Sequence, residues 1–173
     1  MSPALRYGLI TGGGVCLWIL VEFSLDFHTT RPGLGEYSGY FSSAIPLTTL
    51  FLLLKGRRDD VANGGLSLGW GVGAGLYASL VAALMVYGFL LAYNQFINPG
   101  WMDAALDWKV NQFRAQGMSE PAIRAEIVSF RWMNSPRGLL TPTLAGMTVR
   151  GGLFSLVLTL LLRRAPRDRV PEA

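Results

Sequence analysis

Cysteine and histidine are almost missing from this chain. Cys16 is its only thiol and His28 its only imidazole. A lone cysteine cannot form an intrachain disulfide, so a disulfide-stapled scaffold is excluded. A structural zinc site needs several thiolate or imidazole ligands, and one of each does not supply it. Charge is scarce as well. Asp, Glu, Lys and Arg make up 15% of the residues, where a soluble globular chain carries about 25%. Apolar residues are abundant instead, at 51%, with a mean hydropathy of +0.35. That surplus excludes a disordered chain and points to lipid. The length of 173 residues fits one domain, and the net charge of +4 is modest.

A bilayer core about 30 Å thick takes roughly 20 mostly apolar residues in helical form. Four stretches qualify, at about 7–27, 40–54, 68–96 and 139–162. The first has only Arg6 before it, and Glu22-Phe23 stands where a signal peptide would be cleaved, so it is read as a retained helix. Cytoplasmic loops are enriched in Lys and Arg. Arg6, Lys55, Arg57, Arg58, Arg163, Arg164, Arg167 and Arg169 fall on one side of a four-span chain. Both termini are therefore expected in the cytoplasm of a bacterial inner membrane. The four arginines of the 163–173 tail suit anionic lipid headgroups, and topology explains the basic residues better than nucleic acid does.

The stretch from Asn98 to Arg137 differs in kind. Asn98-Pro99-Gly100 is a turn signal. Leu106, Val110 and Phe113, then Ile123, Ile127 and Phe130, each repeat at i, i+4, i+7, one face of a helix. Gly117 stops the first helix, and Ser119 with Pro121 starts the second. The expectation is an extracytoplasmic helical hairpin over about 101–134, between spans three and four. Its apolar stripes either pack together or lie on the bilayer surface, with Trp101, Trp108 and Trp132 at headgroup depth. The fold class is thus an all-α, integral-membrane four-helix bundle.

Several features together resemble a known family. They are Arg6-Tyr7-Gly8-Leu9-Ile10, the basic loop Lys55-Gly56-Arg57-Arg58, the run Tyr93-Asn94-Gln95-Phe96-Ile97-Asn98-Pro99 and the charged helical insert after it. In order and spacing, from about Leu5 to Arg164, they are similar to the bacterial membrane family called domain of unknown function 4199. The resemblance implies four membrane helices and brings no catalytic residues. Arg150 departs from the family's pattern, in which the last span is usually apolar.

Arg150 is the costliest residue in that span, since an Arg at a membrane-helix centre costs at least about 2.5 kcal/mol. Such a group turns toward protein or water and finds a partner. Glu22 and Asp26, four apart on the first span, are the expected carboxylates, with Glu22 preferred. A structural pair or a water-filled vestibule is the plainer reading of these three residues, and a conduction or binding role is the sharper one. Depth counted along the spans leaves Glu22 and Arg150 about 10 Å apart at 1.5 Å per residue.

Glycines mark candidate packing seams. Gly8 and Gly12 on span one, and Gly69, Gly71, Gly73 and Gly75 on span three, have the four-residue spacing that lets membrane helices approach closely. Packing within the chain is the plainer reading, and a homodimer seam is the alternative. Cys16 reads as a small core residue. His28 reads as a solvated loop residue, with a pH-sensitive surface group as the alternative. Asp59, Asp60, Asp103 and Asp107 form no metal constellation with a histidine, and no nucleophile–base pair can be assembled. No metal, cofactor or enzymatic activity is expected. The leading expectation is a non-catalytic scaffold or accessory subunit. Its rival is a small transporter or ion-conducting oligomer using Glu22, Asp26 and Arg150.

Overall fold

The computed structural model describes residues 1–28, 30–61 and 65–163, and among them every regular element is helical. The first helix, α1 (Pro3–Ser24), starts where Ser2 accepts a hydrogen bond from the Leu5 N–H at 3.3 Å and Pro3 fills the first turn, a position where its missing N–H is harmless. Next come α2 (Pro32–Ser42) and α3 (Ala44–Asp60), joined through Ser43. Pro46 explains that joint. It has no N–H for the Ser42 carbonyl, and its ring crowds that carbonyl, so a continuous helix is interrupted. The third long helix, α4 (Leu68–Ala92), is capped by the Ser67 hydroxyl on the Trp70 N–H. It runs into a π-helical turn, Tyr93–Ile97, before Pro99. Two amphipathic helices follow, α5 (Trp101–Ala115) and α6 (Glu120–Met133). Short α7 (Pro136–Thr141) leads through a second π-helical turn, Pro142–Gly146, into α8 (Met147–Leu162).

Four helices are long and apolar enough to cross a membrane: Pro3–Ser24, Gly33–Asp60, Leu68–Ile97 and Pro136–Leu162. The second is much longer than the expected 40–54. Its first half is rich in Gly and Tyr, which hydropathy undercounts, so the apolar signal alone missed it. The fourth starts three residues earlier than expected, because Ser135 caps α7 by accepting from the Gly138 N–H at 3.1 Å. Helix α4 packs along α1 on one side and α8 on the other, and α3 closes the arrangement against α8 and α1. At one end Leu50, Leu53 and Ala78 form a buried cluster, packed by Tyr7, Trp70 and Phe154.

The glycines separate by face. A Cβ on Gly8 would stand 2.7 Å from the Ala78 carbonyl oxygen, and one on Gly12 would stand 3.2 Å from the Ala82 Cα. Both allow α1 to lie against α4. Gly71 and Gly75 abut the Thr159 and Ser155 side chains of α8, while Gly151 of α8 abuts Ser79 of α4. This is a reciprocal antiparallel seam of small residues at four-residue steps. Gly69 and Gly73 have nothing within 4 Å of a Cβ. Residues two apart on a helix point about 200° apart, so one pair of the four had to face away.

Outside the spans, α5 and α6 have almost the expected bounds. Leu106 and Ile123 are buried, and Val110, Phe113, Ile127 and Phe130 are partly buried. Trp101 meets Phe130 edge to face at 6.4 Å, and Arg114 pairs with Glu120 at 3.1 Å. Gly117 ends α5 at φ 74°, the left-handed geometry glycine adopts freely. Ser119 occupies the cap position of α6 but makes no side-chain cap bond.

Candidate functional site

The polar residues of the spans gather in two separate places. The first lies where α1 ends. Glu22 is 7% exposed, and the Trp18 indole N–H, one turn back, donates to its Oε1 at 2.9 Å. His28 Nε2 lies 3.3 Å from Oε2, and Nδ1 lies 2.7 Å from the Tyr93 hydroxyl. That hydroxyl also accepts from the Asn98 amide at 3.0 Å. With a neutral imidazole protonated on Nε2 every donor finds an acceptor: Asn98 to Tyr93, Tyr93 to His28, His28 to Glu22. Charge-assisted bonds to the carboxylate are the stronger members of such a chain.

Local structure builds this chain. The π-helical turn, closed by the Asn98 N–H on the Tyr93 carbonyl at 2.9 Å, places residues five apart on one side. An ordinary helix would aim the Tyr93 and Asn98 side chains apart. Tyr93 is 3% exposed and packs edge to face against Phe23 and His28, with centroids 5.9 and 5.7 Å away. A pocket of about 170 Å³ opens beside it, with Ile19, Leu90, Trp101 and Leu139 as apolar wall and His28, Asn94 and Asn134 at its polar edge.

The second place is a cleft of about 120 Å³ containing Arg150. Thr11 and Val15 of α1, Ser42, Ser43 and Pro46 at the α2–α3 joint, Ser79 of α4 and Gly151 and Phe154 of α8 line it. Among these described residues there is no carboxylate.

The expected Glu22–Arg150 pair is therefore not formed. The Glu22 oxygens are taken by Trp18 and His28. Arg150 lies at the level of Thr11 and Val15, and Glu22 is seven residues beyond Val15 along α1, about 10 Å at 1.5 Å per residue. Asp26 does not share the face of Glu22, because α1 ends at Ser24 and Asp26 takes a left-handed turn at φ 60°. His28 is also not a solvated loop residue, since its ring is held between two spans. Of the chain's members, Trp18 was legible four residues before Glu22, on the same helical face. Tyr93 and Asn98 were not, since an ordinary helical period hides a five-residue pairing.

The basic residues show their own pattern. The Arg6 guanidinium stacks on Tyr7 at 5.1 Å and that of Arg57 on Trp70 at 5.2 Å, and both arginines line one cleft of about 440 Å³. Arg163 is exposed at the end of α8, while Arg164, Arg167 and Arg169 lie outside the described residues. Among the described residues, no cluster of three His, Cys, Asp or Glu side chains could hold a metal ion.

Among the described residues, an all-helical architecture with four helices long and apolar enough to cross a membrane is consistent with a membrane protein. The chain belongs to the family described as Protein of unknown function (DUF4199), whose match spans residues 6–164. No curated protein and no solved structure matches it.

Proposed function

We propose that this protein is a non-catalytic scaffold or accessory subunit of a bacterial inner membrane. Its four spans form a bundle with both termini in the cytoplasm, and the bundle holds the α5–α6 hairpin at the outer face for a membrane-protein partner. The observation that carries this reading is the hydrogen-bonded chain from Glu22 to Asn98. It ties the end of α1 to Asn98, three residues before α5 begins, so the outer helices rise from a rigid base. Helix α6 also leaves Val128 and Trp132, 69% and 66% exposed, on the face away from its own core. The shared cleft of Arg6 and Arg57 supports the orientation, since it gathers basic residues at one end.

The transport reading needed a common path for Glu22, Asp26 and Arg150. The separation of Glu22 from Arg150 removes the support for such a path.

Reporter fusions after Lys55 and after Arg164 should report cytoplasm, and one at Gly117 the outside. A cytoplasmic signal at Gly117 rejects the topology. A photo-crosslinking residue at Val128 should then give one discrete protein adduct in native membranes, weakened in Tyr93→Phe. Crosslinking to lipid alone would reject the scaffold reading.

A further inference from the structure

The Arg150 cleft is independent of the scaffold reading and leads elsewhere. Arg150 is fourteen residues beyond Pro136 and twelve before Leu162, the ends of the fourth candidate span. At 1.5 Å per residue either end is roughly 18–21 Å away, more than the several ångströms an arginine side chain gains by snorkelling. A guanidinium at that depth offers five N–H donors and stays charged at every physiological pH. Among the described residues, its surroundings answer with hydroxyls and not with a carboxylate. Thr11 and Ser42 direct their protons to the Tyr7 and Gly39 carbonyls, each at 2.7 Å. Ser43 and Ser79 are the remaining hydroxyls in the lining, and both can turn a proton into the cleft. Arg150 is itself exposed at the mouth of this cleft, so the site combines one permanent positive charge and two further donors beside the apolar surface of the candidate spans. A charge there favours a counter-ion.

We propose that this mid-membrane cleft binds one small monovalent anion, held by the Arg150 guanidinium and the Ser43 and Ser79 hydroxyls. The single charge sets the valence. A volume of about 120 Å³ suits a halide or a short carboxylate.

The test is thermal unfolding of the full-length protein in detergent, titrated with sodium chloride against sodium gluconate at constant ionic strength and constant sodium. Chloride should raise the melting temperature saturably, because ligand binding to the folded state stabilises it, and gluconate should not. Arg150→Gln should abolish the chloride dependence. Ser79→Ala should raise the half-saturating chloride severalfold while the protein still folds. Equal melting in the two salts overturns the proposal, and so does a chloride response unchanged in Arg150→Gln. Should that variant fail to accumulate, Ser79→Ala decides, and an unchanged half-saturation there overturns the site. Native mass spectrometry adds one more arm. A phospholipid retained by the wild type and lost from Arg150→Gln would make the counter-ion a lipid phosphate and reject the small anion.

Discussion

Tyr93→Phe removes one oxygen atom from the centre of the hydrogen-bonded chain and leaves the ring in place. The phenyl group keeps its contacts with Phe23 and Phe89, both at 5.9 Å, so packing is preserved and the polar loss is isolated. Two groups lose a partner. The Asn98 amide is in a residue only 7% exposed, and leaving such a donor unsatisfied costs about 1–3 kcal/mol. The His28 ring nitrogen belongs to a side chain 23% exposed and regains water at small cost. A loss of about 2 kcal/mol is expected, and with it a fall in melting temperature of roughly 4–8 °C for a chain of this length. Tryptophan fluorescence in detergent reads it. A double-mutant cycle with His28→Ala should show coupling above about 0.5 kcal/mol, as for groups in one network. A melting temperature within a degree of wild type, or strict additivity with His28→Ala, would refute the claim that this chain ties α1 to the end of α4.

The α4–α8 seam makes a paired forecast. Gly75→Val drives a side chain into Ser155 and should cost about 1–3 kcal/mol by overpacking, seen as lost monodisperse protein in fluorescence-detected size exclusion. Gly73→Ala meets nothing within 4 Å and should stabilise by about 0.5–1 kcal/mol through backbone entropy. Destabilisation by Gly73→Ala would instead reveal a partner helix on that face. Ile123→Ala, at a residue 1% exposed, should cost about 2–5 kcal/mol and raise hydrogen exchange in α5 and α6 while leaving the spans protected. Faster exchange confined to the spans would contradict a separate small core between α5 and α6.

The candidate spans and the two amphipathic helices α5 and α6 are legible because both rest on periodic signals. Long, mostly apolar runs and i, i+4, i+7 stripes survive whatever tertiary packing does. Hydropathy makes span two too short, because glycines and tyrosines lower it over Pro32–Ser42. The joint at Ser43 had a visible cause in Pro46, which the apolar count ignored. Glycine spacing located the right helices and could not separate their faces. Gly71 and Gly75 meet α8 while Gly69 and Gly73 do not, and only the identity of the neighbouring helix decides that.

The charged residues were harder for a different reason. Pairing Glu22 with Arg150 followed from charge and scarcity, since the first span holds the acidic residues and the fourth a lone central base. Two conditions lie outside such counting. One is depth, since Glu22 lies about 10 Å along α1 from the level of Arg150. The other is competition, because Glu22 had nearer donors: an indole one turn back and an imidazole brought round by the left-handed turn at Asp26. A carboxylate with two good donors gains little by reaching further, and burying a charge is tolerable only when its hydrogen bonds are complete. Satisfying Glu22 locally leaves Arg150 without a carboxylate among the described residues, so the clamp at the end of α1 and the demand for a counter-ion at Arg150 are two consequences of one arrangement.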